Sequence, residues 1–84
     1  MNKYTLKNSR LVNHSAIHDL YKNDEFVLLG CYNECIMHVM QNGNNNDWYD
    51  EGLANPDWKG CSVYDFKIQY CIRQASIDNY TTLN

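Results

Sequence analysis

The chain has 84 residues, with ten acidic side chains against seven basic ones and a formal net charge of −3 at pH 7. Binding to a nucleic-acid backbone depends on clustered Lys and Arg, so this balance argues against direct nucleic-acid binding. No apolar run approaches the roughly 20 residues that a membrane span needs, and the N-terminus lacks the apolar stretch of a secretory leader. We therefore expect a cytoplasmic protein with no membrane partner, in which the four cysteines are reduced.

So short a chain predicts one small domain over residues 1–84. A domain of this size buries only about 60–65% of its unfolded surface, which leaves its stability marginal. It also has little room for a private pocket of roughly 300 Å³ or more. Because self-association would bury more apolar area and could form a pocket between subunits, the size predicts a homo-oligomer.

The first part of the chain predicts one strand and one helix. Residues 3–6 suit a short edge strand. Asn13 is a good N-cap, and Lys22 suits the C-terminal end of a helix dipole. Between them the apolar residues form one helical stripe, consisting of Ala16, Ile17, Leu20 and Tyr21. This pattern predicts a helix over residues 14–22, which is too short to be stable alone and must pack on a sheet.

The rest of the chain predicts a β-meander. In residues 25–32 both sets of alternating side chains are largely apolar, as in a central strand covered on both faces. A tight turn leads to a second strand over residues 35–41, and the pair Asn42 and Gly43 is a turn signal. Trp48 begins a third strand, residues 52–60 form an irregular loop, and residues 62–73 form a fourth strand that alternates strictly from Tyr64. The prediction is an α+β fold with one short N-terminal helix packed on a three- to four-stranded antiparallel β-meander, followed by a polar tail from residue 76.

Both tryptophans lie between residues 47 and 58, and this stretch supplies the candidate binding site. An aromatic face can stack on a nucleobase, which is worth roughly 1–3 kcal/mol per base. Nearby amides and carboxylates can bond base edges or ribose hydroxyls, and lysines can meet phosphates. The candidate ligand-binding residues are Trp48, Tyr49, Asn55, Asp57, Trp58, Lys59 and Lys67. The competing interpretation is that both tryptophans only close a small core, because Trp is usually largely buried.

The same stretch is acidic. Its carboxylates are Asp47, Asp50, Glu51 and Asp57. One interpretation is a solvated loop, since loops are usually polar and exposed. The other is a surface that meets a basic partner, such as a nucleic-acid-binding protein, with aromatic residues as interface hot spots.

The segment containing Cys31, Cys35 and His38 invites a zinc interpretation. Structural zinc sites normally pair closely spaced ligands with a second such pair further along. The remaining two cysteines are ten residues apart and do not form a pair of that kind. The alternative is that the cysteines are free and act as small hydrophobes, and this predicts no bound metal or cofactor.

Enzyme motifs are absent from the sequence. His14 and His18 share one face of the predicted helix, but no acid lies between them as in HExxH. Cys35 and His38 could pair as nucleophile and base, yet nothing supplies an orienting third group. The sequence also has no Gly-rich phosphate loop, so we predict a protein that is not an enzyme.

Three short motifs follow one another along the chain. They are Trp48-Tyr49-Asp50, Asn55-Pro56-Asp57-Trp58 and Tyr64-Asp65-Phe66-Lys67-Ile68. This order resembles a class of very short proteins common in tailed-phage genomes, which carry Trp-x-Asp, Asn-Pro-x-Trp and a closing Tyr-x-Tyr-Arg-Ile-Lys-Pro strand. The resemblance covers roughly residues 14 to 70, and the chain departs from it at Gln69 and Tyr70. The predicted order of a helix followed by a sheet, with a conspicuous Trp, is also loosely similar to small anti-Thoeris sponge proteins.

The resemblance implies a counter-defence protein that acts by stoichiometric binding. In the first hypothesis, an oligomer sequesters a nucleotide immune signal between subunits, with Lys59, Lys67 or Arg73 on the phosphates. In the alternative, the chain is a protein–protein inhibitor of the anti-CRISPR or anti-restriction type, which blocks a host defence nuclease through its acidic aromatic surface. A third hypothesis is a zinc-bearing interaction module.

Overall fold

The computed structural model describes residues 1–71. It confirms the α+β class, with one mixed sheet and short helices. The strands are β1 (Lys3–Val12), β2 (Ser15–Lys22), β3 (Glu25–Gly30), β4 (Trp48–Asp50) and β5 (Cys61–Ser62). The helices are α1 (Tyr32–Asn42), a 3₁₀ turn (Gly52–Ala54) and α2, which comprises the helical residues 63–71.

Two tight hairpins build the first three strands. Asn13 and His14 connect β1 to β2 with φ angles of 51° and 69°, and Asn23 and Asp24 connect β2 to β3 with φ angles of 52° and 67°. Two-residue turns in which both residues have positive φ match the natural twist of paired antiparallel strands. Consequently β1 pairs antiparallel with β2, and β2 pairs antiparallel with β3.

The prediction of an N-terminal helix over residues 14–22 is wrong, because these residues form β2. Pairing with β1 places Leu20 opposite Leu6. His18 and Leu20 are buried while their neighbours are more exposed, which is the period of two that a strand requires. A lone helix of this length is unstable in water, so pairing with a neighbouring strand decides the conformation.

The sheet order is β3-β2-β1-β4-β5, which puts β1 at the centre. Residues 3–6 were predicted as an edge strand, and residues 25–32 as a central one; both positions are wrong. β3 is an edge strand, and its Phe26 and Leu29 side chains are 57% and 53% exposed. The sheet is mostly antiparallel, but β4 runs parallel to β1 with Tyr49 opposite Tyr4.

Residues 32–42 form helix α1 where a turn and a second strand were predicted. Cys35, Ile36 and Val39 are fully buried, at spacings that lie on one helical face. The apolar residues of this segment suit a helix as well as a strand. The need to cover the buried face of the sheet selects the helix, which contacts β2 and β3.

The predicted fourth strand over residues 62–73 is wrong from residue 63 to residue 71, and only Ser62 lies in a strand, as the last residue of β5. Residues 63–71 are helical, and Val63 and Phe66 on one face of α2 are buried. The Ser62 hydroxyl accepts a hydrogen bond from the Asp65 backbone N–H at 3.1 Å. This is an N-cap bond, and it marks where the helix begins. Residues 72 and 73 and the polar tail lie outside the described residues.

The core lies between one face of the sheet and the helices. Its buried apolar side chains are Tyr4, Leu6, Leu20, Cys35, Ile36, Val39, Tyr49, Val63 and Phe66. Within residues 1–71, the Tyr4 hydroxyl is the one buried side-chain polar atom with no hydrogen-bond partner. No helix in this part of the chain is long and apolar enough to cross a membrane.

Candidate functional site

Three aromatic rings from distant parts of the chain meet at one end of the core. The Tyr49 ring centroid lies 4.6 Å from that of Phe66 and 5.6 Å from that of Trp58, and the last two are 6.4 Å apart. Tyr49 comes from β4, Trp58 from the following loop, and Phe66 from α2. Tilted contacts at these distances stabilise aromatic pairs, so the cluster fixes the loop against the helix.

Asp47 holds the start of β4 in place. Its Oδ1 accepts a hydrogen bond from the Asn2 backbone N–H at 3.0 Å, and its Oδ2 accepts one from the Asn44 N–H at 2.9 Å. The side chain is almost fully buried. The bond from Asn2, together with that from Asn44, lowers the pKa of the Asp47 carboxyl even though burial opposes this. Asp47 therefore ties the strand that carries Tyr49 to the N-terminus.

Gly60 lets the loop after Trp58 return along β4. Its φ of 87° lies in the region that favours glycine, and a Cβ there would come within 2.7 Å of both Trp48 Nε1 and the Tyr49 carbonyl oxygen. The close approach leads the chain directly into β5 beside β4. Trp58, two residues earlier, lies against the Tyr49 ring in a tilted contact.

A cavity of about 270 Å³ opens beside the aromatic cluster. The residues that line it are Tyr32, Glu51, Asn55, Asp57, Trp58, Phe66 and Gln69. The lining combines aromatic rings, two amides and two carboxylates, and no lysine or arginine from the described part of the chain is among it. We call this site the acidic aromatic cavity.

A hydrogen bond from Tyr49 orients the Glu51 side chain at the cavity. The Tyr49 hydroxyl donates a hydrogen bond to Glu51 Oε2 at 3.0 Å. Burial raises the pKa of Tyr49 far above its ordinary value of 10.0, and the neighbouring Tyr32 and Glu51 add to the effect. The hydroxyl thus keeps its proton and remains a donor. In addition, Asp50 Oδ1 accepts the Gly52 N–H at 2.8 Å, which shapes the backbone next to Glu51.

The structure brings together some of the seven predicted site residues. Asn55, Asp57 and Trp58 line the acidic aromatic cavity, and Tyr49 lies beneath it. Trp48 occupies the register position opposite Lys3, so it points to the other face of β4.

The predicted lysines lie elsewhere. Lys59 is exposed and does not line the cavity, and Lys67 lines a separate depression next to Tyr64 and Ile68 on α2. Arg73, the third predicted phosphate ligand, lies outside the described residues. The cavity and the predicted basic groups are therefore not assembled into one site within residues 1–71.

Four lining residues were not among the predicted site residues, namely Tyr32, Glu51, Phe66 and Gln69. Glu51 was recognised only as part of the acidic cluster. Phe66 and Gln69 are three apart and share one face of a helix, which a helical interpretation of residues 63–71 would have identified. No sequence signal connects Tyr32 with this loop, because only the tertiary fold brings α1 beside it.

The proposed zinc ligands are not assembled. Within residues 1–71 no group of three or more His, Cys, Asp or Glu side chains is placed to hold a metal ion. The Cys31 thiol lies 3.5 Å from Glu34 Oε1, whereas the Cys35 thiol points at the Gly30 carbonyl oxygen at 3.8 Å. Burial raises the pKa of Cys35, so its thiol stays protonated at neutral pH and is a poor nucleophile.

The two histidines that were predicted to share a helix face are also separated. His14 lies in the first hairpin turn, whereas His18 is only 7% exposed. His18 Nδ1 and the Ser9 hydroxyl are hydrogen-bonded at 2.7 Å. The His18 ring also meets Tyr32 edge-on, with centroids 6.1 Å apart, so His18 is a satisfied core residue that supports one wall of the cavity.

No protein-family model, curated protein sequence or solved structure matches this chain. The lining of the acidic aromatic cavity determines which chemical groups it can contact. Its carboxylates and amide oxygens accept hydrogen bonds, and its rings attract cations and planar groups.

Proposed function

We propose that this chain is a non-enzymatic binding protein that uses the acidic aromatic cavity to engage a basic surface of a partner protein. The observation that carries the proposal is the convergence of Glu51, Asp57 and Trp58 on one surface cavity. The ion pairs within residues 1–71 involve neither carboxylate. Neither is therefore paired with a cation from the described part of the chain, and a cation of a partner can pair with them under this proposal.

Charge and size support a protein partner. The net charge of −3 favours encounter with a basic surface. The cavity volume of about 270 Å³ lies just below the roughly 300–1,000 Å³ of pockets that enclose drug-sized ligands. A single side chain of a partner protein fits this scale, and aromatic residues around such a pocket are common hot spots of protein interfaces.

The resemblance to short tailed-phage proteins suggests what kind of partner this is. Host defence nucleases bind nucleic acid through basic channels, and an acidic aromatic surface can compete for such a channel by charge complementarity. Under this proposal the chain acts in the host cytoplasm as a stoichiometric inhibitor.

Sequestration of a nucleotide immune signal is the second candidate. Its support is that Asn55, Asp57 and Trp58, all predicted as nucleotide contacts, share one cavity. A phosphate also needs cationic partners, and no Lys or Arg of residues 1–71 lines the cavity. This candidate therefore depends on cations from a second subunit of the predicted homo-oligomer or from Arg73, which lies outside the described residues.

Native mass spectrometry tests both candidates. The purified protein is incubated with and without an extract of infected, defence-positive cells, and the mass of every complex is measured. The matched variants are Asp57→Lys, which reverses a charge at the cavity, and Glu25→Lys, which makes the same change on exposed β3. The proposal expects the mass to rise by a whole protein chain, with capture lost in Asp57→Lys and retained in Glu25→Lys.

Other outcomes refute the proposal. A gain of a few hundred daltons per site on an oligomer, with no protein captured, would replace it with the nucleotide candidate. Equal capture by wild type and both variants would show that the cavity does not form the binding surface.

A further inference from the structure

Building on the proposed function, we infer that the acidic aromatic cavity receives the guanidinium group of an arginine side chain from the partner protein. The inference names the chemical group that the cavity recognises. It follows from the shape of the aromatic wall, the kinds of hydrogen-bonding atoms and the sign of the charge.

The aromatic wall offers a fixed platform for a planar cation. Trp58 is half-buried and lines the cavity together with Phe66, and its ring packs against Tyr49 and Phe66 at centroid distances of 5.6 Å and 6.4 Å. Trp is the best aromatic partner for a cation, and arginine is found in such contacts more often than lysine. Because the ring is already held in place, little side-chain entropy is lost on binding.

The polar lining is rich in acceptors. A carboxylate has about four lone-pair sites, and the bond that Glu51 receives from Tyr49 uses one of them. Asp57 is exposed at the rim, and Asn55 and Gln69 add amide oxygens. A guanidinium group carries five N–H donors in a rigid fork and no acceptor, so it complements this lining.

Alternative ligands fit less well. A phosphate would meet two carboxylates and no cation of the described chain at this cavity. A lysine ammonium has the right charge, but it is a compact, strongly hydrated point charge that does not stack on a ring. Arginine is more weakly hydrated, stacks on aromatic faces and pairs with carboxylates through two parallel bonds.

The test is an NMR titration of the ¹⁵N-labelled full-length protein with the amide of N-acetyl-arginine. The two tryptophans give two indole N–H signals. Trp58 lies in the cavity, and Trp48 lies on the other face of β4 as an internal reference. The expected result is a saturable shift of the Trp58 signal with little change at Trp48. The neutral citrulline analogue should cause no saturable shift, and the lysine analogue should bind several-fold more weakly.

Variants separate the cavity from general surface charge. Glu51→Gln removes one charge-assisted bond and should weaken arginine binding by about tenfold. Glu25→Gln makes the same charge change at an exposed residue of β3 and should leave binding unchanged. An unperturbed Trp48 signal in both variants shows that the fold is intact.

Three results would overturn the inference. They are an unshifted Trp58 signal, an equal response to citrulline, and equal weakening by Glu25→Gln. The proposed function fails separately, because it depends on capture of a partner protein by the wild type and loss of capture in Asp57→Lys. Capture without any arginine response would leave the binding function and remove only the assignment of arginine.

Discussion

Replacing Asp47 by alanine should destabilise the protein strongly and in a pH-dependent way. The substitution removes both bonds that the buried carboxylate accepts from the Asn2 and Asn44 backbones. A hydrogen bond to a charged group contributes about 1.5–3 kcal/mol, so the loss should be about 3 kcal/mol or more. A chain of 84 residues has a total stability of roughly 4–13 kcal/mol, so the variant loses a large part of it.

Urea unfolding followed by circular dichroism measures this loss, and thermal unfolding gives a second estimate. Each kcal/mol corresponds to roughly 4–8 °C in Tm for a domain of this size, so a fall on the order of 12–24 °C is expected. Asp57→Ala is the control, since Asp57 is exposed and its loss should change stability by no more than about 0.5 kcal/mol.

The pH dependence follows from the lowered pKa of Asp47. Its ordinary value is 3.8, and the bonds from Asn2 and Asn44 bring it lower in the folded protein. As the pH falls, the Asp47 carboxyl therefore takes up a proton in the unfolded chain before it does so in the folded protein. The stabilisation is fully present above the pKa of Asp47 in the unfolded chain, and it is lost as the pH falls through the pKa in the folded protein. The difference between wild type and Asp47→Ala should be constant near neutral pH and shrink below about pH 4.

Two results would refute this account of Asp47. One is a loss of less than about 1 kcal/mol, which would mean that the carboxylate contributes no more than a neutral hydrogen bond. The other is a loss that stays the same from neutral pH to about pH 2. A carboxyl whose pKa is lowered in the folded protein must stabilise it less once the unfolded chain has taken up a proton.

Three further substitutions test the fold. Tyr4→Phe removes a buried hydroxyl without a hydrogen-bond partner in residues 1–71, so the urea midpoint should stay the same or rise; a clear fall would mean that the hydroxyl is bonded. Ser62→Ala removes the N-cap bond of α2 and should cost about 1 kcal/mol, whereas Ser62→Asp should restore it in the same unfolding assay. His14→Gly relieves a φ of 69° in the first hairpin turn and should raise the thermal midpoint, since glycine is preferred at this position of a type I′ turn; a lower midpoint would contradict the turn assignment.

The wrong prediction of a helix over residues 14–22 comes from the two roles of asparagine. Asn is favoured both at helix N-caps and in turns with positive φ. Asn13 was interpreted as a cap, but Asn13 and Asn23 each open a two-residue hairpin turn. A helix over residues 14–22 and a strand over the same residues satisfy the local pattern about equally. Pairing with β1, which the sequence does not display locally, decides for the strand.

The opposite error occurs in residues 62–73. Strict alternation from Tyr64 predicted a strand, yet Val63 and Phe66 form the buried face of a helix, and Tyr64 is exposed. The Ser62-x-x-Asp65 spacing is a helix-start signature, and the Ser62 hydroxyl makes the cap bond. The prediction of a strand was based on the alternation alone and did not use this local signal.

The candidate site, like the fold, depends partly on the local sequence and partly on tertiary packing. The sequence alone determined the α+β class and the concentration of acidic, aromatic and amide side chains between residues 47 and 58, because composition and local order are visible without a fold. Which of those side chains face one cavity was decided by the tertiary structure: β4 alternates its side chains, so Tyr49 points towards the cavity and Trp48 away from it. The partners Tyr32, Phe66 and Gln69 come from helices α1 and α2. Their approach depends on packing between residues far apart in the chain, and no local pattern encodes that packing.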